Sequence, residues 1–180
     1  MRHCIAYIAN EEVQKYFQKL TEELSAQFGI SNLSKRVPAH ITLKYPFEVD
    51  DTMEIESKIQ SVVNDFSLRK TSIAPFIISG FNRFENSFET IFMKVEGGSI
   101  FEKTIEGCIS DLGEVDEDRK FAKRIFHISI ARHMNQSQSD EIFAYLQTKE
   151  LQHFESFFDN IALMKFENEV WSVKKFFKFN

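Results

Sequence analysis

Two short stretches of this chain place a histidine and a hydroxyl at the same spacing: His40-Ile41-Thr42 and His127-Ile128-Ser129. Alternate side chains of an extended strand share a face. His40, Thr42 and Lys44 therefore point one way, and Ile41 and Leu43 point into a core. In the second stretch His127 and Ser129 share a face, opposite Phe126, Ile128 and Ile130. Each motif offers one imidazole and one hydroxyl from a rigid element. Phosphodiester cleavage needs a base to activate water and an acid to protonate the departing alkoxide. With an unperturbed pKa of about 6.5, one imidazole can be neutral while another is protonated near neutral pH. The hydroxyls of Thr42 and Ser129, with basic side chains, can hold the non-bridging oxygens. His40 and His127 are thus candidate catalytic residues, and Thr42, Ser129 and Lys44 are candidate phosphate-binding residues. Tyr45 and Phe47 follow the first motif and are candidates for stacking on a nucleobase, against a competing role in the core.

The charge distribution points the same way. The chain has 180 residues, a net charge of −5 and 27 acidic side chains. None of these acids lies between Ser25 and Phe47, where Lys35, Arg36 and Lys44 occur. None lies between Arg119 and Ser139, where Arg119, Lys120, Lys123, Arg124 and Arg132 occur. By length alone about six or seven acids belong in these windows. Local removal of carboxylates around both histidines prepares a site for an anion. The overall negative charge argues against a non-specific binder of duplex DNA.

The elements that must carry these groups read as α+β. Strands are expected over 3–9, 38–47, 75–83, 88–96, 125–131, 159–166 and 170–178, and helices over 11–28, 51–66, 99–112 and 138–149. Gly29 and Gly113 are helix stops, and Glu85-Asn86-Ser87 is a turn. His127 lies 87 residues after His40, and the same shift carries the strand at 3–9 onto 90–96. The chain therefore reads as one bilobal domain, 1–180, with approximate internal repeats 11–97 and 98–180. Each repeat is a helix, a histidine strand, a helix and a hairpin, with one strand extra at the front. Two such lobes facing across a pseudo-twofold axis bring His40 and His127 together.

The stretches PAHITLKYPF and FHISIAR resemble the two signature motifs of the 2H phosphoesterase superfamily, the group of 2′-5′ RNA ligase-like proteins and RNA 2′,3′-cyclic phosphodiesterases. The resemblance covers the motif spacing and the two-lobed layout. It implies two pseudo-symmetric lobes, each an antiparallel sheet with helices on its outer face, around a central cleft. It implies metal-independent opening of a cyclic phosphate or cleavage of a 2′-5′ linkage in a nucleotide or RNA end. It also gives the acid's part to His40 and the base's part to His127. Arg132 resembles a basic residue that follows the second motif in relatives. Strict alternation puts Arg132 opposite His127, so a phosphate-binding role requires the strand to end or bulge near Ala131.

No cofactor is implied. There is no G-x-x-x-x-G-K-[ST] loop and no Lys-x-Asp-Gly adenylation motif, so ATP-dependent ligation is not supported. Gly97-Gly98 reads as a turn rather than an anion site. His3, His133 and His153 read as structural or loop residues, and Trp171 as core or rim. The first apolar stretch is too short for a signal or membrane segment, and Cys4 and Cys108 lack metal or redox spacing. A cytoplasmic monomer with no membrane partner is the expectation. Two other readings compete: a module that binds a nucleotide or RNA end in the same basic cleft without turnover, and a histidine metal site, which would need more ligands than the motifs supply.

Overall fold

The computed structural model describes residues 1–68, 74–84, 87–114, 125–150 and 152–179. Strand β1 (Arg2–Ile8) leads through helix α1 (Glu11–Phe28) and a 3₁₀ turn (Leu33–Lys35) into β2 (His40–Glu48). Helix α2 (Met53–Leu68) precedes the hairpin β3 (Ala74–Phe84) and β4 (Ser87–Gly97). Helix α3 (Ser99–Asp111), strand β5 (His127–Arg132) and helix α4 (Gln136–Gln147) follow, and the chain closes with β6 (His153–Phe158), β7 (Asn160–Glu167) and β8 (Val170–Lys178).

Local sequence explains the helix ends. Asn10 caps α1 by accepting from Val13 N at 3.0 Å. Gly29 closes it in the left-handed conformation at φ 67°, which costs glycine little. Asn135 and Gln138 form a reciprocal capping box at the start of α4. Gly98 caps α3 without a side-chain bond, and a Cβ on Gly97 would lie 2.2 Å from the Phe101 ring. The glycine pair thus serves the turn into α3 and the packing of Phe101.

The strands form two antiparallel four-stranded sheets, ordered β2-β1-β7-β8 and β5-β4-β3-β6. Both histidine strands are sheet edges. Helix α2 packs on β7 and β8, α4 on β3 and β4, and α1 and α3 reach both sheets or their loops. Phe17 and Leu20 of α1, Ile59 and Val63 of α2, Phe101 and Ile105 of α3 and Ile142 of α4 share one core with the inward faces of both sheets. Ile41, Leu43, Ile128 and Ile130 belong to that core, which anchors each histidine strand from behind. No helix among the described residues is long and apolar enough to cross a membrane.

Two features depart from the sequence reading. That reading places no strand over 153–158, yet β6 pairs with β3 from Ala74↔Phe158 to Ser79↔His153. The front strand is also not an extra one. β1 lies beside β2, and β4 lies beside β5, so strands related by the 87-residue shift take matching places. The hairpins do not match strand for strand, because β4 neighbours its histidine strand whereas β8 is the edge farthest from β2.

Candidate active site

The first residue of β2 is His40, and the first of β5 is His127. Each imidazole is half-buried and held in the same way. His40 Nδ1 lies 2.8 Å from the Pro38 carbonyl oxygen, and His127 Nδ1 lies 2.6 Å from that of Ile125. A carbonyl only accepts, so Nδ1 carries the proton in both rings. In the neutral form Nε2 is then the free basic nitrogen, the one able to take or give a proton. Strands β2 and β5 contact one another, and the two imidazoles are near enough for the charge of His127 to act on His40.

Burial pushes His40 down to about 4, with the Pro38 bond opposing and the charges of His127 and Arg132 lowering it further. His127 is also lowered, by burial first, with the Ile125 bond opposing and Arg132 adding to the effect. Each ring therefore favours its neutral form in the unliganded protein, and an arriving phosphate would favour the protonated one.

The depressed value has a consequence for stability. A histidine with an unfolded pKa of 6.5 and a folded value of about 4 binds fewer protons when folded. Stability is full above pH 6.5 and is lost as pH falls towards 4. At pH 5 the loss from His40 is about 2 kcal/mol, or roughly 4–8 °C in Tm for a chain of this size. The variant His40→Asn is expected to shrink the Tm drop between pH 7.5 and pH 5 by that amount. Thermal denaturation at the two pH values checks it, and an unchanged drop would refute it.

Thr42 and Ser129 are both half-buried, and their register partners are Ala6 and Phe92. Beyond them each strand bulges at the same place. Ile5 pairs with Lys44 and Ala6 with Thr42, leaving Leu43 extra. Ile91 pairs with Ala131 and Phe92 with Ser129, leaving Ile130 extra. Leu43 and Ile130 are 87 residues apart. A bulge keeps two successive residues on one face and reverses the alternation beyond them.

The bulge moves Arg132 and Lys44 in opposite senses. Ile130 and Ala131 are both fully buried, and exposed Arg132 returns to the face of His127 and Ser129, where its charge acts on both imidazoles. Lys44 takes the place of Ala131. It is 6% exposed and paired with core residue Ile5, on the face opposite His40 and Thr42. The expectation that Lys44 faces the phosphate is corrected, because strict alternation fails at Leu43. Tyr45, half-buried, follows the bulge where Arg132 does in β5. Phe47 is 2% exposed, belongs to the core and lies 6.3 Å from the His3 ring, so it presents no surface for stacking.

Two aromatic residues near the site carry no signal in the sequence. Phe92 and Phe84 lie 4.9 and 5.1 Å from the His127 ring and 4.9 Å from each other. Phe92 is in register with Ser129, and Lys94, with His127. That neighbourhood follows from strand pairing alone, which a single sequence does not specify.

The acid-free windows translate into space only in part. Arg119, Lys120, Lys123 and Arg124 lie outside the described residues. Arg36 meets Glu169 at 3.4 Å, an acid brought from the β7–β8 turn. Trp171 is half-buried, 5.1 Å from Phe166, and packs against Cys4, Ala6 and Met164. His3 is buried, and His153 and His133 are exposed. Among the described residues no three His, Cys, Asp or Glu side chains come together as a metal-binding group.

Comparison with known proteins adds findings of three kinds. A family model described as the 2′-5′ RNA ligase superfamily matches residues 9–169. A protein of Geobacillus sp. (strain WCH70), provisionally named a phosphoesterase, is 26% identical over 98% of this chain and 95% of its own length. One from Geobacillus kaustophilus, with the same provisional name, is 24% identical over 98% and 95% of the two chains. Among solved structures, a Thermus thermophilus protein superposes with a TM-score of 0.55 at 14% identity, covering 99% of this chain and 98% of the other. Escherichia coli LigT, complexed with 3′-AMP, does so with a TM-score of 0.55 at 12% identity and the same coverage. These two likenesses establish the shared fold.

Proposed function

This chain belongs to the 2′-5′ RNA ligase superfamily, within the 2H phosphoesterases, and we propose that it is a metal-independent phosphodiesterase. It hydrolyses a cyclic phosphate or a 2′-5′ phosphodiester of a nucleotide or RNA end. The observation that carries this reading is the matched pair of imidazoles, each bonded through Nδ1 to a backbone carbonyl, with Arg132 acting on both.

In the proposed reaction one neutral imidazole takes a proton from water at Nε2 as the water oxygen bonds to phosphorus. The other, protonated at Nε2, gives its proton to the departing ribose oxygen as the P–O bond breaks. Water is consumed, a phosphomonoester forms in the cyclic case, and the enzyme ends with its protons exchanged between the rings. The family resemblance gives the acid's part to His40 and the base's part to His127. The hydroxyls of Thr42 and Ser129 and the Arg132 guanidinium bind the non-bridging oxygens, where negative charge grows. The 3′-AMP held by LigT supports a nucleotide as the ligand class here.

The test is incubation with adenosine 2′,3′-cyclic phosphate and a 2′-5′-linked diadenylate, with and without EDTA, followed by product analysis. Turnover of at least one substrate, unchanged by the chelator, is expected. Loss of turnover on chelation would refute the metal-independent mechanism. Tight binding of both probes with no turnover would favour a binding module instead.

A further inference from the structure

The segment entering β2 is gripped from two sides. At its far end the Trp171 N–H donates to the Arg36 carbonyl at 2.7 Å, and Val37 packs beside Cys4, Ala6 and Met164. At its near end lies Ala39, fully buried, between His40 and the Pro38 carbonyl that holds the His40 ring. A buried backbone N–H must be paired. The β1–β2 register ends at Ile8↔His40, and the partner of the Ala39 N–H is not a strand but a side chain.

That side chain is Gln14, in the first turns of α1. Its Oε1 accepts from Ala39 N at 2.9 Å. Its Nε2 donates to the carbonyls of Ala39 at 2.8 Å and Ala9 at 3.2 Å. The Ala9 N–H donates to the same Ala39 carbonyl at 3.1 Å. The orientation of the amide is fixed by these partners, since the Ala39 N–H requires an oxygen and the two carbonyls require a donor. Gln14 therefore locks both backbone groups of the residue next to His40. The position 87 residues later is Phe101, so the second motif has no counterpart at that point of the repeat.

We propose that Gln14 is a positioning residue for His40: by fixing Ala39 it sets the Pro38 carbonyl, which in turn keeps the His40 ring with its Nδ1 proton bound and Nε2 as the basic nitrogen. The proposal rests on the reading of His40 as catalytic. Geometry held by a supporting side chain commonly sets the rate of the step it supports rather than substrate binding.

Two variants test it. Gln14→Met keeps the length and apolar stem but removes both polar ends. Gln14→Glu keeps the acceptor for the Ala39 N–H but sets a carboxylate oxygen against two carbonyls. Both are expected to lower kcat for adenosine 2′,3′-cyclic phosphate by about ten- to a hundredfold, with KM within about twofold. In ¹⁵N spectra of the imidazoles, His40 is expected to pass from the Nδ1–H tautomer to a mixture while His127 stays unchanged. Glu169→Ala, which breaks only the exposed Arg36 pair, is the control and is expected to leave kcat unaltered.

A wild-type kcat and an unmoved His40 tautomer in Gln14→Met would overturn the proposal, and so would a lowered Tm with both of these intact. If one variant fails to fold, the other carries the same readouts. Full activity in His40→Ala would overturn the catalytic reading instead, and the tautomer shift would then decide the positioning on its own.

Discussion

Replacing His40 or His127 with alanine is expected to lower kcat/KM for adenosine 2′,3′-cyclic phosphate by about 10²–10⁴-fold each. The double variant should be little worse than the poorer single one, because in the proposed mechanism the two proton transfers belong to one displacement step. Both rings stand at the first residue of an edge strand, are anchored behind by buried isoleucines, and are held through Nδ1. Under the proposed mechanism, removing either takes away an Nε2 that gives or takes a proton, while the isoleucines behind it stay in the core. Steady-state kinetics checks the result, and a double variant with wild-type turnover would refute the proposed site.

The same variants can separate the two roles. A p-nitrophenyl ester of thymidine 5′-phosphate releases a phenolate that needs no proton from the enzyme. The variant lacking the acid is therefore expected to recover most of its rate on that ester, and the variant lacking the base is not. If the resemblance assigns the roles correctly, the recovering variant is His40→Ala. Recovery by His127→Ala alone would exchange them.

The periodicity of the helices and the period of two in the histidine strands made the element order legible, because each reports which face is buried. The histidines were legible for a further reason: an imidazole and a hydroxyl on one strand face, repeated at one offset, have little structural use. Strand β6 was hidden because its alternation, Phe154, Ser156 and Phe158, buries a serine between two phenylalanines and reads as irregular. Strict alternation misplaces Lys44 and leaves Arg132 conditional for one cause: in each histidine strand a bulge adds a residue without a sequence marker. Phe84 and Phe92 reach His127 through the pairing of β3, β4 and β5, and Gln14 reaches Ala39 across 25 residues. Such contacts follow from the pairing of distant segments, and local composition does not encode them. Glu169 beside Arg36 shows the limit of charge windows: acids absent from a stretch can return through space.

Arg132 carries the second large expected effect. Because Ile130 is the extra residue of the bulge, Arg132 stands on the face of His127, and its charge acts on both imidazoles. Burial is the larger cause of their lowered values, and Arg132 adds to it in each case. Two consequences follow from removing the guanidinium. In the proposed mechanism the growing negative charge on the non-bridging oxygens loses a donor, so Arg132→Ala is expected to lower kcat/KM by about 10²–10³-fold. Both imidazoles also lose a nearby positive charge, so their pKa values rise and both limbs of the pH profile of kcat/KM move to higher pH. Arg132→Lys keeps the charge but not the planar fork. It should keep the wild-type pH profile while recovering only part of the rate. The pH profiles of the three proteins on one cyclic substrate distinguish the effects. A rate loss in Arg132→Ala with no alkaline shift would mean that the guanidinium acts away from the imidazoles, and unchanged kinetics would remove Arg132 from the site altogether.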